Sequence, residues 1–164
     1  MTRVAAALLA GAVLAAGFAG PQPGPAEGTF EGVWSASGER HTLATERDGA
    51  AAIARLSGAV VLNVGGGLGR GFHGELIGYD DGRDVSVGRW VWTDDQGHRI
   101  FGELKGDLMA TGRRFKAVIT GGTGRYAGLG GEFDFSWQYV VAGEGAVIQG
   151  RTLGLKGRYR RGGP

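Results

Sequence analysis

Between residues 132 and 139 the chain alternates without a break. Phe133, Phe135, Trp137, Tyr139 and Val141 take every odd position, and Glu132, Asp134, Ser136 and Gln138 stand between them. Only an extended strand sends successive side chains to opposite faces, so this segment predicts a strand with one buried and one wetter face. A helix would scatter the same apolar residues around its circumference. Trp90 and Trp92 likewise share a face, opposite Arg89 and Val91. No stretch after the N-terminal segment sustains a helical period, and the chain reads as all-β.

Candidate strands cover residues 29–36 and 41–46, on either side of a turn at Ser37-Gly38, then 59–64, 71–79, 85–93, 99–107, 114–120, 132–141 and 146–159. Residues 51–55 are ambiguous between strand and a single helical turn. Gly65, Gly66, Gly67 and Gly69 make a loose connection. Asp80-Asp81-Gly82 and Asp94-Asp95-Gln96-Gly97 tolerate the left-handed backbone of hairpin turns. Short strands joined in this way predict a small closed antiparallel β-barrel of about eight strands, preceded by an N-terminal signal segment. The 35 glycines show no Gly-X-Y repeat, which excludes collagen. Gly74 and Gly78, and again Gly102 and Gly106, fall in a G-E-L-x-G pattern inside candidate strands. Glycine weakens a strand interior, so its use there predicts sharp coiling or a close approach of backbones.

Arg3, an uncharged apolar run at 4–16 and the residues Gly17-Phe18-Ala19 have the layout of a cleaved signal peptide over residues 1–19. The run is short for a membrane span and stops at Pro21, Pro23 and Pro25. Residues 20–28 then read as a linker and 29–161 as one barrel domain. The absence of cysteine removes thiol-linked lipid anchoring, thiol catalysis, disulfides and thiolate metal sites together. An exported domain without disulfides predicts a bacterial protein, secreted or periplasmic, with no stable membrane span. A formal net charge of +2 predicts no nucleic-acid partner.

Residues 117–132 read AVITGGTGRYAGLGGE: a strand, the turn GGTG, an aromatic residue, and a second strand opening after glycines. With GRWVWTDDQGHRIFGELKGD before it and VIQGRTLGLKGRYR after it, the segment resembles the allene oxide cyclase and dirigent barrel families, over residues 85–160. The resemblance implies a closed barrel around a hydrophobic cavity, often trimeric and without a cofactor. Such barrels steer ring closure of an unstable substrate, or orient radicals made by other enzymes. The families' catalytic residues do not carry over by position. The matching element is Gly121, Gly122, Thr123, Gly124 and Tyr126, whose implied task is a tight turn with Tyr126 packing back on the barrel. Residues 122–127 also match G-x-G-x-x-A, a dinucleotide fingerprint. That mechanism needs a helix N-terminus after the glycines to hold the pyrophosphate, whereas here an alternating strand follows.

His41, His73 and His98 show no metal-ligand spacing, so no metal site is expected; the aspartate doublets read as turns before they read as calcium ligands. No serine stands in a nucleophile elbow. The aromatic face is the richer signal: Trp90, Trp92, Phe133, Phe135, Trp137 and Tyr139 supply either a cavity wall or a packed core. Candidate polar members of such a cavity are His73, Glu75, Arg89, Glu103 and Gln138. Glu75 or Glu103, if buried, gains a raised pKa suited to acid–base catalysis, unless a base such as Arg89 pairs with it. The basic run Arg158, Arg160 and Arg161 reads as a solvated strand tip. Three readings remain: a barrel binding a small, mostly apolar molecule in its lumen; a cofactor-independent cyclase or isomerase using the same cavity; and a solid barrel whose outer face makes a dimer or trimer.

Overall fold

The computed structural model describes residues 27–46, 49–64, 68–83, 85–106, 114–142 and 146–162. The expected signal peptide, and the linker as far as residue 26, lie outside the described residues. Eight strands follow one another: β1 (Glu27–Ala44), β2 (Ala50–Val64), β3 (Gly71–Asp80), β4 (Ser86–Thr93), β5 (Arg99–Lys105), β6 (Arg114–Gly122), β7 (Leu129–Ala142) and β8 (Val147–Arg161). Each pairs antiparallel with the next, and β8 returns to pair with β1, closing the barrel. The expected fold class holds. Every strand finds both neighbours, so no edge is left for further pairing.

Several boundaries differ from the sequence expectation. Ser37-Gly38 is no turn: β1 runs straight through, with Ser37 opposite Ser57 and Gly38 opposite Leu56. Gly38 serves close approach instead, since a Cβ there would run into the backbone of Arg55. Residues 51–55 belong to β2 rather than to a helical turn. Glu27 and Gly28, expected in the linker, already pair with Arg160 and Tyr159. After Gly122 the chain makes a three-residue 3-10 turn, Gly124–Tyr126, and enters β7 directly, so no helix stands where a pyrophosphate would need one.

The period-two pattern sorts the faces. Along β3 burial alternates at every residue, with Phe72, Leu76 and Asp80 inward. The same rule sends Trp90, Trp92, Ile100, Leu104, Phe115, Ala117, Phe133, Phe135 and Trp137 into the lumen. In β8 the parity switches, from Ile148 and Thr152 to Leu155 and Tyr159. Gly154, at φ +61°, is the extra residue that makes the switch, a bulge opposite both β1 and β7. A β-branched or bulky residue would be strained there.

The inward glycines and the aromatic rings fill one another's space. Trp90 lies directly opposite Gly102, and Phe30 and Phe133 both lie opposite Gly157. A Cβ at Gly102 would stand 2.7 Å from Trp90 Cζ2, and one at Gly157 would stand 2.7 Å from Phe30 Cζ. A narrow barrel cannot hold a large side chain at every inward position, so a ring on one strand occupies the place its neighbour leaves empty. Gly102→Ala is therefore expected to lower stability by about 1–3 kcal/mol through overpacking. Gly71→Ala, where nothing lies within 4 Å, is the matched control and should leave the melting temperature almost unchanged.

Candidate functional site

The lumen is a packed core. Trp90 stands 5.0 Å from Trp92 and 5.1 Å from Phe133 between ring centroids, and Trp92 stands 5.1 Å from Phe133. Phe115 stacks on Phe135 at 5.2 Å, and Trp34 meets Trp137 at 5.5 Å. Tilted and edge-on pairs at these separations are the favourable arrangements for aromatic rings. The void among Trp34, Leu76, Trp90, Phe133 and Leu155 holds about 10 Å³, room for one water at most. Fully buried Thr152 ties the wall together, its Oγ1 accepting from the Trp34 backbone N–H at 2.8 Å.

The aromatic candidates Trp90, Trp92, Phe133, Phe135 and Trp137 thus pack on one another, with Tyr139 half-buried at their end. The polar candidates are elsewhere. His73, Glu75 and Arg89 are exposed on the outer face, and Glu103 and Gln138 are half-exposed there. Glu103 pairs with Arg89, whose guanidinium holds its carboxyl below the ordinary range. That is the reverse of the raised pKa a general acid needs at neutral pH. Gln138 accepts a hydrogen bond from Arg151 Nε at 3.1 Å. The lumen therefore receives none of the acid–base groups that the sequence offered it.

A polar constellation forms instead at the barrel end where the connection before β3, the β4–β5 hairpin and the β6–β7 turn converge. Asp94 begins the hairpin, and its Oδ1 accepts from the backbone N–H groups of Gln96 and His98, both at 2.9 Å. This bond pattern explains why an aspartate opens the turn. Its side chain is nonetheless fully buried, because Arg125 closes over it, with Nη2 at 2.8 Å from Asp94 Oδ2. The contact is an ion pair between a guanidinium and a buried carboxylate. His98 Nδ1 lies 3.6 Å from the same oxygen. Arg125 Nε donates to the Tyr126 hydroxyl at 3.0 Å, and Tyr126 is wholly buried against Phe72. Gly69 completes the fit: a Cβ there would stand 2.8 Å from the Tyr126 hydroxyl and 2.9 Å from Arg125 Nη2.

Burial opposes the charge on Asp94. The N–H groups of His98 and Gln96, the Arg125 cation and the Tyr126 hydroxyl outweigh it and hold the carboxyl below its usual 3.8. Burial, supported by the Asp94 charge, pushes the Tyr126 hydroxyl up despite Arg125. Burial acts against charge on Arg125 too, but Tyr126 and Asp94 prevail and raise its pKa. At neutral pH the trio is thus an anion, a cation and a neutral phenol. It can position a ligand but has no proton to exchange.

Above the trio lies a solvent-open cleft of about 770 Å³, lined by Leu68, Phe72, His73, Thr93, Asp94 and Arg125 among others. His73 is thereby the one polar candidate from the sequence that borders this cleft. In the matching turn, Thr123 exchanges hydrogen bonds with Arg99, its N–H donating to Arg99 O at 2.8 Å and its Oγ1 accepting from Arg99 N at 2.9 Å. Gly122 and Gly124 stand where a Cβ would meet the Tyr126 backbone and the His98 ring, and Gly121 lies against Phe101. Asp94, His98 and Arg125 were not singled out as site residues from the sequence. Each reads locally as a turn residue, and the pairing of β5 with β6 is what sets the two turns side by side. Among the described residues no group of three or more histidine, aspartate or glutamate side chains gathers as a metal site would require.

No protein-family model matches the chain, and no curated protein matches it. Among solved structures, pyocyanin demethylase is similar at a TM-score of 0.42 and 18% identity, over 77% of this chain and 99% of that one.

Proposed function

We propose that the chain is a small-molecule-binding barrel whose site is the cleft at one end, with the filled lumen as its rigid support. The observation that carries this reading is the ion pair at the floor of the cleft. A fully buried carboxylate costs several kcal/mol unless it is compensated, and here its cation remains 42% exposed toward solvent. Arg125 can meet an anionic or acceptor group there while its other donors stay with Asp94 and Tyr126. Leu68 and Phe72 offer the apolar contact beside it. The ligand class is therefore a mostly apolar body bearing one acceptor or anionic group. Binding is favoured over cyclase or isomerase chemistry because Glu103 is neutralised outside and the trio does not titrate near neutral pH. Export behind a leader over residues 1–19, and kinship with the allene oxide cyclase and dirigent barrels, belong to the same proposal; the barrel closure and the GGTGRYAG turn support the kinship.

Anilinonaphthalene sulfonate, an aromatic body with one sulfonate, is a direct probe. Its fluorescence titration is expected to saturate with the wild-type protein and to weaken roughly tenfold in Arg125→Gln, the loss of about one charge-assisted contact. Unchanged affinity in that variant, or no saturable binding at all, overturns the cleft as the site.

A further inference from the structure

The outer face of β2, β3 and β4 carries an apolar cluster that a solitary barrel does not need. Ile53, Tyr79 and Val87 stand side by side on neighbouring strands, since Ile53 pairs with Tyr79 and Tyr79 with Val87. Ile77 follows two residues before Tyr79 on the same face. Their exposures are 54%, 44%, 43% and 64% in that order. Single exposed apolar residues are ordinary, but a contiguous group with a polar rim marks a contact surface.

The rim says what the contact is with. Ile77 is flanked across the sheet by Arg55 on β2 and Arg89 on β4, and Glu75 precedes it on β3. Arg89 is already engaged with Glu103. Arg55 and Glu75, both exposed, have no ionic partner among the described residues. The two lie on adjacent strands one step apart, since Arg55 is opposite Ile77 and Glu75 is opposite Ser57. An unused cation beside Ile77 on β2 and an unused anion two residues before it on β3 make a patch complementary to itself.

We infer that this face binds a second copy of the chain about a two-fold axis. An axis lying along the face and passing beside Ile77 sets Ile77 against Ile77 and delivers each Arg55 to the other copy's Glu75. Such an isologous contact closes after two copies, whereas a patch complementary to a different surface would give a ring or a filament. The closed barrel also excludes the commonest alternative, strand addition at a sheet edge, because no edge is open. The contact must therefore be made by side chains, face on face. It is centred on Ile77, four residues along β3 from His73 at the edge of the cleft, and it stands whether or not that cleft binds a ligand.

Sedimentation velocity across the micromolar range tests this with full-length barrel domain. A reversible monomer–dimer equilibrium is expected. Arg55→Glu and Glu75→Arg each bring like charges together and are expected to weaken the dimer roughly tenfold or more, whereas the double exchange Arg55→Glu/Glu75→Arg restores it. Ile77→Thr keeps a β-branched residue in the strand and should yield monomer with an unchanged circular dichroism spectrum. A wild-type protein that stays monomeric, a trimer, or single exchanges without effect overturns the proposal. So does failure of the double exchange to recover the dimer while both single variants remain folded.

Discussion

Trp90→Ala is expected to lower folding stability by about 3–5 kcal/mol, measured by chemical denaturation, and to turn a filled lumen into a receptive one. Trp90 is 4% exposed, contacts Trp92 and Phe133, and sits in the space opposite Gly102. Its Nε1 also donates to the Glu103 carbonyl at 3.1 Å, and that bond goes with the ring. The wall around it is built from closed strands that cannot collapse far, so the void should persist. A dry apolar void of this kind takes up benzene or xenon. The wild-type barrel should bind neither in its lumen, and Trp90→Ala should bind benzene with a measurable rise in melting temperature. If instead the variant loses little stability and the wild type already takes up benzene, the rings are a cavity lining and the lumen is the binding site after all.

Removing Asp94 should be the second large effect. Asp94→Ala leaves Arg125 without its anion and two hairpin N–H groups without their acceptor, at a cost of about 3 kcal/mol. The pH dependence has a definite sign. The folded carboxyl titrates below 3.8, so its contribution is complete above the unfolded value and fades as pH falls through the folded one. Asp94→Asn keeps the shape without the charge, and its stability should fall less steeply below pH 3.8 than that of the wild type. Parallel acid-unfolding curves for the two proteins would show that the carboxylate contributes nothing as an anion.

Period-two patterning made the strands legible wherever both faces were chemically distinct. Residues 71–79 match β3 to within one residue, and 132–141 match β7 to within three. The same patterning already placed His73, Glu75, Arg89, Glu103 and Gln138 outside, because each lies between inward residues: Phe72, Gly74 and Leu76, or Trp90, or Gly102 and Leu104, or Trp137. Expecting them in the lumen set aside the alternation that defined the lumen. In β1 and β2 the opposite difficulty holds. Ala, Ser and Gly fill both faces around Ser37-Gly38 and 50–54, so alternation is weak and a small-residue stretch imitates a turn. The structure shows that these small residues let two long strands press together.

Composition and alternation were enough to dictate an all-β chain, its two aspartate-led hairpin turns, and which rings share a face, since those depend only on neighbours in the chain. Whether the lumen is hollow or full depends on how many rings meet across it. That is a property of barrel radius and of glycines opposite aromatics on paired strands, which no local pattern encodes. The Asp94–Arg125–Tyr126 floor and the Arg55–Glu75 surface were likewise decided only by strand pairing, because the pairing of β5 with β6 and of β2 with β3 sets these residues side by side.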